Sequence, residues 1–392
     1  MPGGPFSCLL PCSPAEVRRR LWCVSSSNFS AVAGLSVERI QVPKDPDAIM
    51  ATDFRAFHDL DVAHHLDLWG NLDRCSTLAE AVLFWQGNEY EERHVFLARL
   101  DGSVVGSGTL TLPLSENTTT AGVDVRVDAA YRRRGIGTKI LEVLEQQARG
   151  RNRVSFDAFC SEPLGLLIQG SELLEAKSGA GGVPLDSAST RFARHHGYSL
   201  EQVETNSTLA VPVGEALLQD LEAQATQRAA GYGVIGWRDR CPDDLVEAFA
   251  KLKSLMSTEV PIAGLGWEGE EWDATRVRHE ESTWLAGGVS SSVAVARRDS
   301  TGELAAYTTL THREATPGMV YQEDTLVAPR HRGHRLGMLV KIANLRRIQE
   351  LWPAATSVMT WNANENQHML AINIALGFKP SGFDGEWQKR LE

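Results

Sequence analysis

Val123-Asp-Val-Arg-Val-Asp-Ala-Ala-Tyr-Arg132-Arg-Arg-Gly135-Ile-Gly137 returns in altered form as Glu323-Asp-Thr-Leu-Val-Ala-Pro-Arg-His-Arg332-Gly-His-Arg335-Leu-Gly337. Asp124 falls on Asp324, Val127 on Val327, Arg132 on Arg332 and Gly137 on Gly337. Upstream, Thr109-Leu-Thr111 meets Thr309-Leu-Thr311 in the same frame. A constant offset held across separate elements marks an internal duplication. Each copy runs from a β-rich stretch through an Arg-rich turn with small residues into an amphipathic helix. In the first copy Ile140, Leu141, Leu144 and Ala148 recur at helical spacing.

The parts around these turns also repeat. A strand at 37–42, a helix from about 46 to 68 and a hairpin around Asp101-Gly102 precede the first turn. A strand at 233–237, a helix opening at Pro242-Asp-Asp and a hairpin ending near Tyr307 precede the second. Residues 213–230, rich in Ala, Leu, Glu and Gln, read as a connecting helix. The expected organisation is an arm over 1–36, one unit over 37–212 and a second over 213–392. Gly197-Tyr198 and Gly377-Phe378 close the units 180 residues apart instead of 200. The first unit therefore carries about twenty extra residues, placed between Cys160 and Thr190.

The chain has 392 residues, 43% of them hydrophobic and 23% charged, which is enough apolar material for two cores. A net charge of −11 argues against a nucleic-acid partner and suits a cationic small molecule. No apolar run is long enough to span a membrane. The six cysteines follow no framework, so reduced thiols in a cytoplasmic setting are expected, as a monomer or a homodimer. No spacing among Cys8, Cys12, His195, His196, His331 and His334 suggests a metal, and none is expected.

Chemically, Arg132-x-x-Gly135-x-Gly137 is suited to an anion. Glycines let backbone N–H groups converge, and the following helix adds the positive end of its dipole. Neither a nucleotide-triphosphate loop nor a dinucleotide fingerprint is present, and the turn comes after four strands.

In that position the motif resembles the pyrophosphate loop of the GNAT acetyltransferase superfamily, and the segments ending at Gly197 and Gly377 resemble its closing helix and strand. Two such units in one chain are similar to mycothiol synthase and related actinobacterial tandem acetyltransferases. The resemblance implies an α+β fold of two GNAT domains, each a mixed, mostly antiparallel sheet flanked by helices. It implies acetyl-coenzyme A between the fourth and fifth strands and a small-molecule amine as acceptor. In the first unit Val125 and Val127 would pair with the pantetheine, and Arg132, Arg133, Arg134, Gly135, Ile136, Gly137 and Thr138 would surround the pyrophosphate. In the second the matching residues are Leu326, Val327, Arg332, Gly333, His334, Arg335, Leu336, Gly337 and Met338. Arg335 departs from the pattern, standing where a small residue is expected.

For catalysis the resemblance implies a carboxylate on the fourth strand and a Tyr four residues before the closing Gly. Glu323 and Asp324 are the carboxylates, and strand alternation would put them on opposite faces. The Tyr position holds Asn373 in one unit and Ala193 in the other. Asn366, eleven before Gly377, and Asn362 are expected at the coenzyme, with helix capping as the alternative role for Asn366. The second unit is favoured for chemistry. A tandem acyl-coenzyme A sensor or scaffold, another acyl group, or a hydroxyl or thiol acceptor are the competing readings. The acidic run Trp267–Asp273 reads either as a flank of the acceptor site or as a solvated surface.

Overall fold

In the computed structural model the described residues are 32–45, 52–167 and 171–391, and from residue 32 onward they pack as one compact unit. The N-terminal arm lies outside the described residues as far as residue 31, and the start of the helix expected from 46 is likewise outside them.

The first repeat runs β1 (Leu35–Ile40), α1 (Thr52–Trp69), α2 (Leu78–Trp85), β2 (Glu91–Leu100), β3 (Ser103–Pro113), β4 (Thr120–Val127), α3 (Ile136–Arg149) and β5 (Ser155–Pro163). A small hairpin, β6 (Leu173–Glu175) and β7 (Gly182–Pro184), fills the expected insertion, followed by α4 (Ala188–His195) and β8 (Ser199–Ala210). The second repeat opens with the connecting helix α5 (Glu215–Thr226). It continues through β9 (Tyr232–Arg238), α6 (Val246–Ser254), α7 (Met256–Glu259), α8 (Ala274–Ala286), β10 (Val289–Arg298) and β11 (Leu304–Arg313). β12 (Met319–Val327), α9 (Leu336–Leu351), β13 (Ser357–Ala363), α10 (Gln367–Leu376) and β14 (Lys379–Arg390) complete it.

Local chemistry accounts for the boundaries. Asp101 and Gly102 both take positive φ, 49° and 84°, which is the two-residue turn that Asp-Gly favours between β2 and β3. Thr77 and Glu80 form a reciprocal capping box at the start of α2. Ile140, Leu141, Leu144 and Ala148 on α3 are buried, as their spacing requires.

Twelve strands form one mixed, mostly antiparallel sheet in the order β1-β2-β3-β4-β5-β14-β8-β13-β12-β11-β10-β9. The closing strands are exchanged. β14, from the end of the second repeat, lies between β5 and β8, while β8, from the end of the first, lies between β14 and β13. A cut near the cis Val211–Pro212 peptide thus separates sequence repeats but not folded bodies. Helices cover both faces. In the second repeat α9 and α5 pack with Ala294, Ala306 and Leu310 on one face. The helices α6 and α8 pack with Val293, Val295 and Tyr307 on the other.

Candidate functional site

The two Arg-rich turns share one backbone. Arg133 and Gly135 have φ of 64° and 83°, and Gly333 and Arg335 have φ of 85° and 53°. Each loop needs two left-handed residues at matching places. Glycine fills one and arginine the other, with the order reversed between repeats. A left-handed Arg costs on the order of 1 kcal/mol, so Arg335 departs from the motif without altering its path. Its guanidinium turns outward to Gln224 Oε1 at 3.5 Å, on α5.

Among the described residues, the N–H groups of Arg133 through Thr138 and of Gly333 through Met338 find no acceptor. They stand at the N-termini of α3 and α9, where the peptide dipoles favour an anion. The motif arginines brace the turns. Arg132 Nε donates to the Val127 carbonyl at 3.0 Å and Arg332 Nε to Val327 at 3.4 Å. Arg332 also pairs with Glu259 at 2.7 Å, and Arg132 with Asp67 at 3.5 Å. Arg134 bonds the Ala130 carbonyl, Thr138 Oγ1 meets His196 Nε2, and His334 Nδ1 meets the Arg228 carbonyl. Ile136, Leu336 and Met338 are buried under their helices. Gly137 lies under Phe192 and Gly337 under Ile372, so an added Cβ would come within 3.2 Å of either side chain. At Gly333 nothing lies within 4 Å of an added Cβ, whereas at Gly135 the Val32 methyl lies at 3.6 Å.

Beyond each turn the sheet opens. β4 pairs with β5 only as far as Gly122 and Asp157, and β12 with β13 only as far as Tyr321 and Met359. Val125, Val127, Leu326 and Val327 lie past those points, on strand edges that have lost their parallel neighbour. The first opening is occupied by an ion group in which Arg126 bridges Asp61 of α1 and Asp124. Asp61, His65 and Cys75 bring three possible metal-ligand types together there, but the Arg126 guanidinium already neutralises Asp61.

In the second opening a cavity of about 230 Å³ passes between β12 and β13. The helix side is lined by Lys341 of α9 with Asn366 and Met369, and β13 contributes Thr360 and Asn362. The far side is lined by Glu323, Glu204 of β8, Glu386 of β14, Trp267 and the segment Val260–Ile262. The strand exchange therefore supplies two of its carboxylates.

A β-bulge aims Glu323. Thr308 pairs with Thr325 and Leu310 with Gln322, so Glu323 and Asp324 together face Thr309. The expected alternation fails here, and both carboxylates emerge on one face. Glu323 accepts from Thr311 Oγ1 at 2.6 Å and Asp324 from Tyr307 OH at 3.0 Å, and Thr311 and Tyr307 share a face of β11. Only Glu323 reaches the cavity. Asp324 belongs to a group around the buried Lys253, which bonds Glu280 at 2.8 Å and approaches Asp324 at 3.7 Å. β3 and β4 pair without a bulge, so Val123 stays in the core.

The protein packed around Glu323 raises its pKa, an effect opposed both by the Thr311 hydroxyl and by the solvent its side chain still meets. Burial, with Asp384 and Glu365 nearby, pushes Glu204 up to about 7. Burial holds Glu386 well above the usual carboxylate range. Lys341 is 2% exposed, and burial lowers its ammonium to about 7. Its Nζ donates to Asn373 Oδ1 at 3.1 Å, and Asn373 Nδ2 donates to Asn362 Oδ1 at 2.6 Å. Asn373 is thus a buried relay behind the cavity wall. Asn366 caps α10 by accepting from the Met369 N–H at 3.2 Å, and it also lines the cavity.

Lys341, Glu204 and Glu386 escaped the sequence reading. Lys341 was visible as a lone charge in an apolar helix stripe, where the first repeat has Leu141. Glu204 and Glu386 could not be placed without knowing the exchange. Of the acidic run, Trp267 lines the cavity and bonds Asp157, while Glu268 accepts from the Asn117 N–H across the repeats.

Residues 61–162, which contain the first turn, match the Acetyltransferase (GNAT) family. No curated protein sequence matches the chain. A tandem GNAT protein from the clavulanic acid biosynthesis pathway, solved without AcCoA, superposes with a TM-score of 0.71 at 24% identity. That match covers 91% of this chain and 98% of that one. A GCN5-related N-acetyltransferase from Sphaerobacter thermophilus gives a TM-score of 0.57 at 12% identity, covering 91% and 96%. A GCN5-related glucosamine N-acetyltransferase region of a fungal multi-domain GH3 β-N-acetylglucosaminidase gives 0.58 at 12%, covering 90% of this chain and 38% of that one. The mixed sheet, the paired Arg-rich turns and these likenesses agree: residues 61–162 match the GNAT acetyltransferase family, and the described residues have the fold of a tandem GNAT protein.

Proposed function

We propose that the protein is an N-acetyltransferase that moves the acetyl group of acetyl-coenzyme A to the amine of a small cationic metabolite, in the second opening. The observation that carries this reading is the cavity through the sheet between β12 and β13, lined by carboxylates on one side and on the other by Lys341 of α9, the helix whose N-terminal turn carries the anion-seeking amides.

Bound there, acetyl-coenzyme A would supply an activated acyl carbon with a thiol as leaving group. The amides of Gly333 through Met338 and the N-terminus of α9 fit its diphosphate, and Gly333 leaves room for it. The freed edge at Leu326 and Val327 offers peptide groups to the pantetheine amides, as an added strand would. Glu204, Glu323 and Glu386 line the opposite side, where an ammonium-bearing acceptor would favour their ionised forms and be held by them. Glu323 then accepts the proton that the amine must lose before it attacks, and its raised pKa moves it toward the range a base needs. The first repeat has the same turn but neither the bulged carboxylate nor the buried lysine, so we assign it coenzyme binding without chemistry. The resemblance to mycothiol synthase is carried no further than the tandem layout.

Calorimetric titration with acetyl-coenzyme A, combined with thiol release across a panel of amines, tests the proposal. Binding with release that prefers di- and polyamines is expected. Saturable binding without release for any acceptor would leave an acyl-coenzyme A sensor.

A further inference from the structure

We infer that Lys341 is the acid that protonates the departing coenzyme A thiolate, in place of the tyrosine that neither repeat has. The inference rests on the transferase reading above and extends it to the leaving-group side. Lys341 lines the cavity from α9, across the opening from Glu323. Its Nζ bonds Asn373, the residue at the tyrosine position, at 3.1 Å. Asn373 in turn bonds Asn362 at 2.6 Å, so one α10 side chain fixes both a cavity-lining lysine and a cavity-lining asparagine. Among the described residues Lys341 forms no ion pair, whereas the buried Lys253 is held by Glu280. A lysine without a counter-ion in an apolar helix stripe costs stability, and stability alone does not explain it.

The acceptor ammonium first gives one proton to the Glu323 carboxylate, which releases it to solvent through the cavity; the neutral nitrogen then forms its bond to the acyl carbon and gives its next proton to Glu323. The carbon–sulfur bond breaks with its electron pair going to sulfur, and the Lys341 ammonium gives that sulfur a proton. Glu323 is left protonated and Lys341 neutral, and exchange with solvent through the cavity resets both. Burial supports the assignment, because an ammonium weakened to about 7 gives up its proton near neutral pH. The ionisable groups that share the cavity lining with Lys341 are Glu323 on β12, Glu204 on β8 and Glu386 on β14, with Glu365 beside Glu204.

Lys341→Met keeps the length and the apolar stem, so it tests the proton and not the packing. The expected kcat falls about 100-fold while the affinity for acetyl-coenzyme A, read by calorimetry, stays within twofold. The wild-type rate should fall as pH rises through the lysine's titration, and the variant should lack that limb. A readout independent of turnover is acetylation of lysines by acetic anhydride, followed by peptide mass spectrometry. Lys341 should reach half its limiting reactivity near neutral pH, and coenzyme A should protect it. Wild-type release with an unchanged variant rate and pH profile would overturn this inference and leave the transferase reading standing. No thiol release by the wild type, with no protection by coenzyme A, would sink both.

Discussion

Lys341→Met should make the protein more stable, and by an amount that depends on pH. The ammonium titrates at about 7 in the fold against 10.5 for the free side chain. Because the folded pKa is lowered, the unfolded chain binds a proton between those values that the folded chain does not. The resulting destabilisation is absent above pH 10.5, grows as pH falls through that window and levels off below 7. Linkage puts it at about 4 kcal/mol at pH 7 and about 2 kcal/mol at pH 9. Removing the ammonium also strands Asn373 Oδ1, a loss on the order of 1 kcal/mol. The variant should therefore gain about 3 kcal/mol at pH 7 and about 1 kcal/mol at pH 9. Urea denaturation followed by tryptophan fluorescence at both pH values measures this directly. A variant less stable than the wild type at pH 7, or a difference that does not shrink toward pH 9, would refute the claim that Lys341 is held against its solvation preference.

Three further outcomes are expected. Gly333→Glu places a carboxylate at the open position of the second turn, so calorimetry should show affinity for acetyl-coenzyme A at that site falling tenfold or more. Glu204→Gln should stabilise the fold at pH 8 but hardly at pH 5. A carboxyl raised to about 7 contributes stability below pH 4.5 that is lost as pH rises, about 2 to 3 kcal/mol between those conditions by thermal melts. Residues 37–212 and 213–392 expressed separately should aggregate, and together they should elute as one species in size-exclusion chromatography, because each piece exposes unpaired strand edges.

The turns were legible because left-handed backbone leaves a mark in sequence: glycine, or a residue that tolerates the strain, at fixed places before a helix. The insertion was legible as a change of offset from 200 to 180. Other features left no such trace. Pairing of β14 with β5 is a contact between residues far apart in the chain, and alternation in a strand reports burial but not its neighbour. The bulge at Glu323 was hidden because it shifts pairing without disturbing the motif downstream, so the assignment of Glu323 and Asp324 to opposite faces failed. Asn373 was found by position, but its role as the anchor of Lys341 depends on packing between α9 and α10 that only the fold supplies.

The traded end strands tie the fates of the two repeats together. A substitution at Glu204 belongs, by chain position, to the copy we regard as chemically silent, yet it would retune what the other copy accepts. Deleting the first copy would take β8 out of the sheet and Glu204 out of the cavity wall. Duplication, having produced a spare, made it indispensable.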